Sequence, residues 1–243
     1  MKKYFIAFSF VFFAAAAYAQ NAYESQLKNA QTDFQNGNYA KAASVYESLI
    51  TVEKINNPYI YYNLSNAYYR AGDTGKAALN IRKAYRLAPR DKNIRANLAF
   101  IDKAAGEPES QSLFSGNFLS LNELSAAAAV FIIAFLSLFS IFFISGKKFF
   151  KKAAYGALIV LMPLILASYF KINSEIINKE AAVLKVSVVR SGPAVSSPEL
   201  FSVPAGRKAI ILASNGTWSE IKIKSGSEDL TGWIETDHLG AFN

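Results

Sequence analysis

A chain of 243 residues that is 52% hydrophobic and only 18% charged departs from a soluble globule in one direction, toward lipid. Counting its 13 glycines, the apolar share is about 57%, against roughly 45–50% in ordinary soluble domains. With no cysteine and a single histidine, His238, the chain is excluded from disulfides, thiolate zinc sites, cysteine nucleophiles, a lipid-modified N-terminal cysteine and multi-histidine metal centres. The net charge of +8 is also uneven. Lys2, Lys3, Lys147, Lys148, Lys151 and Lys152 all flank apolar runs, where basic residues set membrane topology rather than bind nucleic acid.

Residues 1–19 have the three parts of a secretory signal. Lys2-Lys3 comes first, then the apolar stretch Tyr4 to Ala17, then Ala17-Tyr18-Ala19 as a cleavage site before Gln20. That stretch spans about 21 Å as a helix, short of a roughly 30 Å hydrocarbon core. A cleaved signal peptide is expected, with an uncleaved anchor as the alternative.

Within a domain of residues 20–105, residues 23–91 repeat with a period of 35: Gly37 corresponds to Gly72, Ala42 to Ala77 and Leu49 to Ala84. The copy at 58–91 carries Tyr61, Leu64, Ser65 and Tyr68, then Gly72, then Ala77, Ile81 and Ala84, and ends at Pro89. In this order it resembles the tetratricopeptide repeat, with Tyr61 where that family has tryptophan. The copy at 23–56 fits at Ala30, Phe34, Gly37, Tyr39, Ala42, Tyr46 and Val52, and departs at Asn29 and Asp33. Ile94, Leu98 and Ile101 then predict a capping helix over 92–105.

The resemblance implies an all-α tetratricopeptide solenoid that binds peptides or protein surfaces on the concave face of its first helices. That face would carry Tyr59, Tyr62, Asn66, Tyr69 and Arg70 from the second repeat, and Leu27, Gln31, Phe34 and Gln35 from the first. Some members of the family grip a C-terminal carboxylate. Asn63 fits that set, but Asn93 and Asn97 stand where its later basic residues belong, which argues against the clamp. Packing inside the stack is the competing reading of the tyrosines.

After a linker at 106–123, residues 124–144 and 153–170 are uncharged runs of about 31 and 27 Å as helices, long enough to be transmembrane. The loop at 145–152 holds four lysines and can only join antiparallel neighbours. The expected arrangement is a transmembrane helical hairpin, with this loop cytoplasmic and the N-terminal and C-terminal domains both extracytoplasmic.

A second linker, 171–182, leads to residues 183–243, where hydrophobicity alternates in short segments. Val183–Val189, Lys208–Ala213, Trp218–Lys224 and Gly232–Glu235 read as strands, and Asn215-Gly216 reads as a hairpin turn. The order of Val188-Val189-Arg190-Ser191-Gly192-Pro193, Gly206, Trp218 and Gly232-Trp233-Ile234 resembles the bacterial SH3 family. It implies an all-β SH3-like small barrel that contacts cell-wall peptides or protein segments. Trp218 and Trp233 could supply an aromatic surface or simply fill the core. His238 has no serine nucleophile motif beside it in sequence.

Taken in order, these modules describe a multidomain membrane protein. The order resembles the E component of the Bacteroides aerotolerance (Bat) operon family, whose members are associated with von Willebrand A-type membrane proteins and a MoxR-type ATPase. The function expected is a non-enzymatic adaptor of the inner membrane, scaffolding a complex on its outer, periplasmic face. The alternative is a cell-wall sensor that binds peptidoglycan peptides through the SH3-like domain. No cofactor, metal or nucleic acid is expected.

Overall fold

The computed structural model describes residues 23–108, 120–173 and 179–242. The expected signal peptide, most of the first linker and part of the second lie outside these residues.

The repeat region is five antiparallel helices: α1 (residues 23–35), α2 (Tyr39–Thr51), α3 (Pro58–Arg70), α4 (Thr74–Leu87) and α5 (Lys92–Ala104). Each of the later starts is fixed by a side chain that accepts orphan backbone N–H groups: Asn57 for α3, Asp73 for α4 and Asp91 for α5. Gly37, Gly72 and Gly106 all take positive φ after α1, α3 and α5, so the turn recurs a third time where the capping helix ends. Small residues at the crossings (Ala30, Ala42, Ala67, Ala77, Ala84) share one core with Tyr46, Leu49, Ile60, Leu64, Ile81, Ile94 and Ile101. Ser65 is buried there and donates to the Ala77 carbonyl at 2.7 Å, which ties α3 to α4. Tyr68 donates to Glu47 of α2, and its hydroxyl is held well above the usual phenol range, chiefly by burial and then by Glu47.

Two long apolar helices follow, α6 (Leu121–Ser145) and α7 (Lys148–Ile172). Ser120 and Glu123 cap α6 reciprocally, so the helix starts three residues before the apolar run. The eight-residue loop expected between the runs is much shorter. Only Gly146, in the left-handed conformation, and Lys147 separate the helices, and Lys148, Lys151 and Lys152 lie in the first turns of α7. The helices face each other through Leu124, Ala128, Phe131, Phe135, Leu138 and Phe142 on α6 and Ala154, Ala157, Leu161, Leu164, Ser168 and Lys171 on α7. Spacings of three and four alternate along both, the seam of a left-handed supercoil. The most apolar stretch of α6 is not buried among the described residues.

The C-terminal region is one antiparallel sheet in the order β3-β2-β6-β5-β4-β1-β7. Its strands are β1 (Lys179–Val183), β2 (Ser187–Arg190), β3 (Glu199–Val203), β4 (Lys208–Ser214), β5 (Trp218–Ser225), β6 (Glu228–Glu235) and β7 (Leu239–Ala241). The segment read as one strand over 183–189 is two, broken at residues 184–186. Residues 199–203 and 239–241 add strands whose alternation is too short to read in sequence. Asn215-Gly216 lies in the β4–β5 turn as expected, but the turn is three residues long and only Gly216 has positive φ. Val183, Val189, Val203, Ala209, Ile221, Ile223 and Ile234 form one core drawn from β1 to β6. Among the described residues β3 and β7 end the ladder without pairing to each other, so the small barrel expected is an open sheet by its pairing.

The helical and β regions touch, which nothing in the sequence announced. α4 packs on α3 and α5 with one side and on β1 and β7 with the other. Arg82, 6% exposed, donates to the Gly206 carbonyl at 2.7 Å and pairs with Asp102 of α5 at 2.6 Å. One turn on, Arg86 pairs with Glu180 of β1 at 3.0 Å, and Lys208 of β4 reaches the same carboxylate at 2.5 Å. The ring of Phe242 lies under both guanidinium groups, 5.7 Å from Arg82 and 5.2 Å from Arg86. From the other partner, Arg207 donates to the Gly106 carbonyl and lies 3.7 Å from Glu107. A further ion pair, Arg90 with Glu123, joins the α4–α5 turn to the start of α6.

Candidate partner-binding site

α3 and α5 lie on the same side of the stack, and the candidate residues of α3 meet α5 at a constant offset of about one repeat. Asn97 donates to Asn66 at 2.8 Å, the Tyr69 and Phe100 rings stand edge to face at 5.1 Å, and Tyr59 donates to Asp91 at 3.2 Å. Tyr59 and Phe100 remain 57% and 52% exposed, while Tyr62 and Tyr69 rest partly against the core. The surface is therefore an aromatic and amide strip two helices wide. Asn97 occurs in it as the partner of Asn66, a neutral pairing.

The other candidates form a separate group at the α1–α2 turn. Phe34 meets the Tyr39 ring edge to face at 5.2 Å, and Arg70 donates to the Tyr39 hydroxyl at 3.0 and 3.3 Å. Beside them Gly37, Asn38, Tyr39, Ala40, Lys41 and Ala71 line an open hollow of about 550 Å³. Gln31 is exposed on α1. Phe100 and Asp91 were not among the sequence candidates. The available signal was their spacing of about one repeat from Tyr69 and Tyr59, read across the capping helix.

In the sheet the two tryptophans separate. Trp218 is 8% exposed at the start of β5, and its backbone N–H is bound by the Asn215 side chain at 2.8 Å. Trp233 alternates with buried Gly232 and Ile234, so it faces outward, paired across strands with Glu220 and Arg190. Gly232 has a packing reason: a Cβ there would lie 2.5 Å from Val189 Cγ1 and 2.9 Å from the Arg190 carbonyl oxygen. That close approach holds β2 against β6 and places Arg190 beside Trp233.

The comparisons with known families agree with this layout. The tetratricopeptide repeat family matches residues 58–91 and the bacterial SH3 domain family matches residues 185–240. The chain carries a tetratricopeptide repeat and a bacterial SH3 domain. The search of curated proteins found no match. The α3 side of the strip thus lies within the matched repeat, and Trp233 lies on the outer face of the matched SH3 domain.

His238 sits in a 3-10 turn, Thr236–His238, between β6 and β7. Its Nδ1 is 2.9 Å from Ser187 Oγ and its Nε2 is 2.9 Å from Glu235 Oε2. A serine–histidine–glutamate trio suggests nucleophilic chemistry, but Ser187 is 4% exposed and donates its proton to the Lys185 carbonyl at 2.7 Å. The serine oxygen is neither accessible nor activated.

Proposed function

We propose that the protein is a non-enzymatic adaptor anchored in the inner membrane by the α6–α7 hairpin, with its repeats and SH3 domain on the periplasmic side. The observation that carries this reading is the Arg82–Arg86–Phe242 interface, which supports both folded regions lying on one side of the membrane. The lysines around Gly146 lie at the turn of the hairpin, the placement favoured for a cytoplasmic turn. The apolar outer faces of α6 and α7, with Val130, Ile133, Phe143 and Ile159 exposed, suit lipid. Reporter fusions after residues 108 and 242 should both read as extracytoplasmic, and one at Lys147 as cytoplasmic. A cytoplasmic signal from the C-terminal fusion overturns the topology.

On this reading the α3–α5 strip holds a protein partner, with a von Willebrand A-type membrane protein the partner suggested by the module order, in a complex that supports tolerance of oxidative or envelope stress. Exposed aromatics at such surfaces often carry about 2 kcal/mol or more each. Tyr59→Ala combined with Phe100→Ala should abolish co-purification of membrane partners while the melting curve is kept, since both rings are more than half exposed. Unchanged co-purification would move the binding surface elsewhere. A second reading rests on Trp233 beside Arg190 and Glu220: an outward aromatic flanked by both charges suits peptidoglycan stem peptides. Retention on purified sacculi, lost in Trp233→Ala, would favour it.

A further inference from the structure

We propose that Glu235, Asp237 and His238 form a binding site for a divalent transition-metal ion of the zinc class, on the turn that leads into β7. The hydrogen-bond polarity around His238 leads to this. A backbone carbonyl can only accept, so the Ser187 hydroxyl commits its one proton to Lys185, and Ser187 Oγ then accepts from His238 Nδ1–H. The other ring nitrogen, Nε2, then faces two carboxylates: Glu235 Oε2 at 2.9 Å and Asp237 Oδ1 at 3.6 Å. A proton on Nε2 would serve Glu235 alone, whereas a metal ion in its place would take electron pairs from Nε2 and both carboxylates.

The dimensions suit a metal. Bonds of about 2.0–2.1 Å at tetrahedral angles hold ligand atoms about 3.3 Å apart, between the two observed separations. All three ligand atoms lie within 4.8 Å of one another. The 3-10 turn sets the pair, because Glu235 precedes it as its N-cap and stands three residues before His238, its last residue. Ligating histidines usually donate their second ring N–H to a fixed acceptor, and buried Ser187 fills that role. Lys185, 3.6 Å away, pairs with the other oxygen of Asp237 and leaves Oδ1 for the metal. One imidazole nitrogen with two carboxylate oxygens suits Zn²⁺ or Co²⁺ better than Mg²⁺, which prefers an all-oxygen octahedron, and water would complete the coordination.

Occupancy would bear on the rest of the molecule, because His238 also accepts from Leu184 N through its carbonyl at 2.8 Å and is followed by β7 and Phe242. The test is a zinc and a cobalt titration of the untagged full chain in detergent at constant pH. We expect one ion per chain, a visible cobalt band of four-coordinate intensity, and a shift of the one histidine's ring resonances. His238→Ala should weaken binding at least about 100-fold, and Glu235→Gln and Asp237→Asn about 10-fold or more. Ser187→Ala, which keeps all three ligands, should weaken it about 10-fold. Glu228→Gln, on the same sheet and outside the site, should change nothing. Circular dichroism identifies any variant that fails to fold, and Glu235→Gln, at a half-buried strand end, keeps the comparison usable if His238→Ala does. Absence of saturable binding, or one-ion binding that survives His238→Ala in folded protein, overturns the proposal.

Discussion

Arg82→Ala should uncouple the β-domain from the repeats, at a cost of about 3 kcal/mol or more. The side chain is almost fully buried, and its loss leaves the Asp102 carboxylate and the Gly206 carbonyl without their cation. Removing one partner of a buried pair typically costs 3–5 kcal/mol, because the other charge stays desolvated. Phe242 also loses one of the two guanidinium groups above its ring. Both tryptophans lie in the β-domain, so their fluorescence follows its unfolding, while circular dichroism at helical wavelengths follows the rest. The two transitions should coincide in the parent chain and separate in Arg82→Ala. Coincident transitions in the variant would mean that Arg82 does not hold the interface.

The loss should also depend on pH. Burial pushes the Asp102 carboxyl above the usual carboxylate range, and Arg82 is the main opposing influence. Without Arg82 the folded-state value rises further above the unfolded one. A raised carboxylate favours folding most at low pH, below the unfolded value, and that advantage is lost as pH rises through the folded value. The deficit of Arg82→Ala should therefore be smallest in acid and grow toward neutrality. Adding Asp102→Asn should remove that pH dependence and recover part of the loss.

How much of this was legible beforehand follows from the range of each cause. Helix existence and the turns at Gly37 and Gly72 come from contacts within a few residues, so the repeat register could be read directly. The two membrane-length runs were equally plain, but their ends were not. The capping of α6 by Ser120 and the compact Gly146-Lys147 turn are decided by single residues that hydropathy averages away. In the candidate strip, Tyr59, Tyr62, Asn66 and Tyr69 follow from helical spacing, whereas Phe100 required knowing that the capping helix lies beside α3. Arg70 follows the same spacing, yet its guanidinium bonds to Tyr39. The interface was invisible, since Arg82 and Arg86 read as the polar face of an amphipathic helix. Their partners Glu180, Gly206 and Phe242 lie some 100 residues away or more, and only the fold brings them together.

Gly75→Ala should have opposite effects in two contexts, and this is the sharpest test of that interface. In a helix, replacing glycine by alanine adds up to about 1 kcal/mol of stability by restricting the unfolded chain. In a fragment of residues 20–108 the substitution should therefore be neutral or stabilising. In the full chain a Cβ at Gly75 would lie 1.9 Å from the Leu184 carbonyl oxygen and 2.4 and 2.6 Å from its C and Cα atoms. These are backbone atoms, and they cannot yield locally. Leu184 N is bound to the His238 carbonyl at 2.8 Å, and Val183 is bonded on both sides, to the Arg207 carbonyl at 2.9 Å and to Gly206 N at 2.7 Å. Relief requires α4 to move off the sheet by more than 1 Å. That movement would break the contact between Arg82 and Gly206 and withdraw Arg86 from Glu180. Overpacking of this kind costs about 1–3 kcal/mol or more. The full chain with Gly75→Ala should accordingly show the split transitions expected of Arg82→Ala, with the arginine intact, while the fragment melts at or above its parent temperature. If both proteins melt as their parents do, α4 does not meet the sheet at Leu184, and the placement of both folded regions on one side of the membrane loses its structural support.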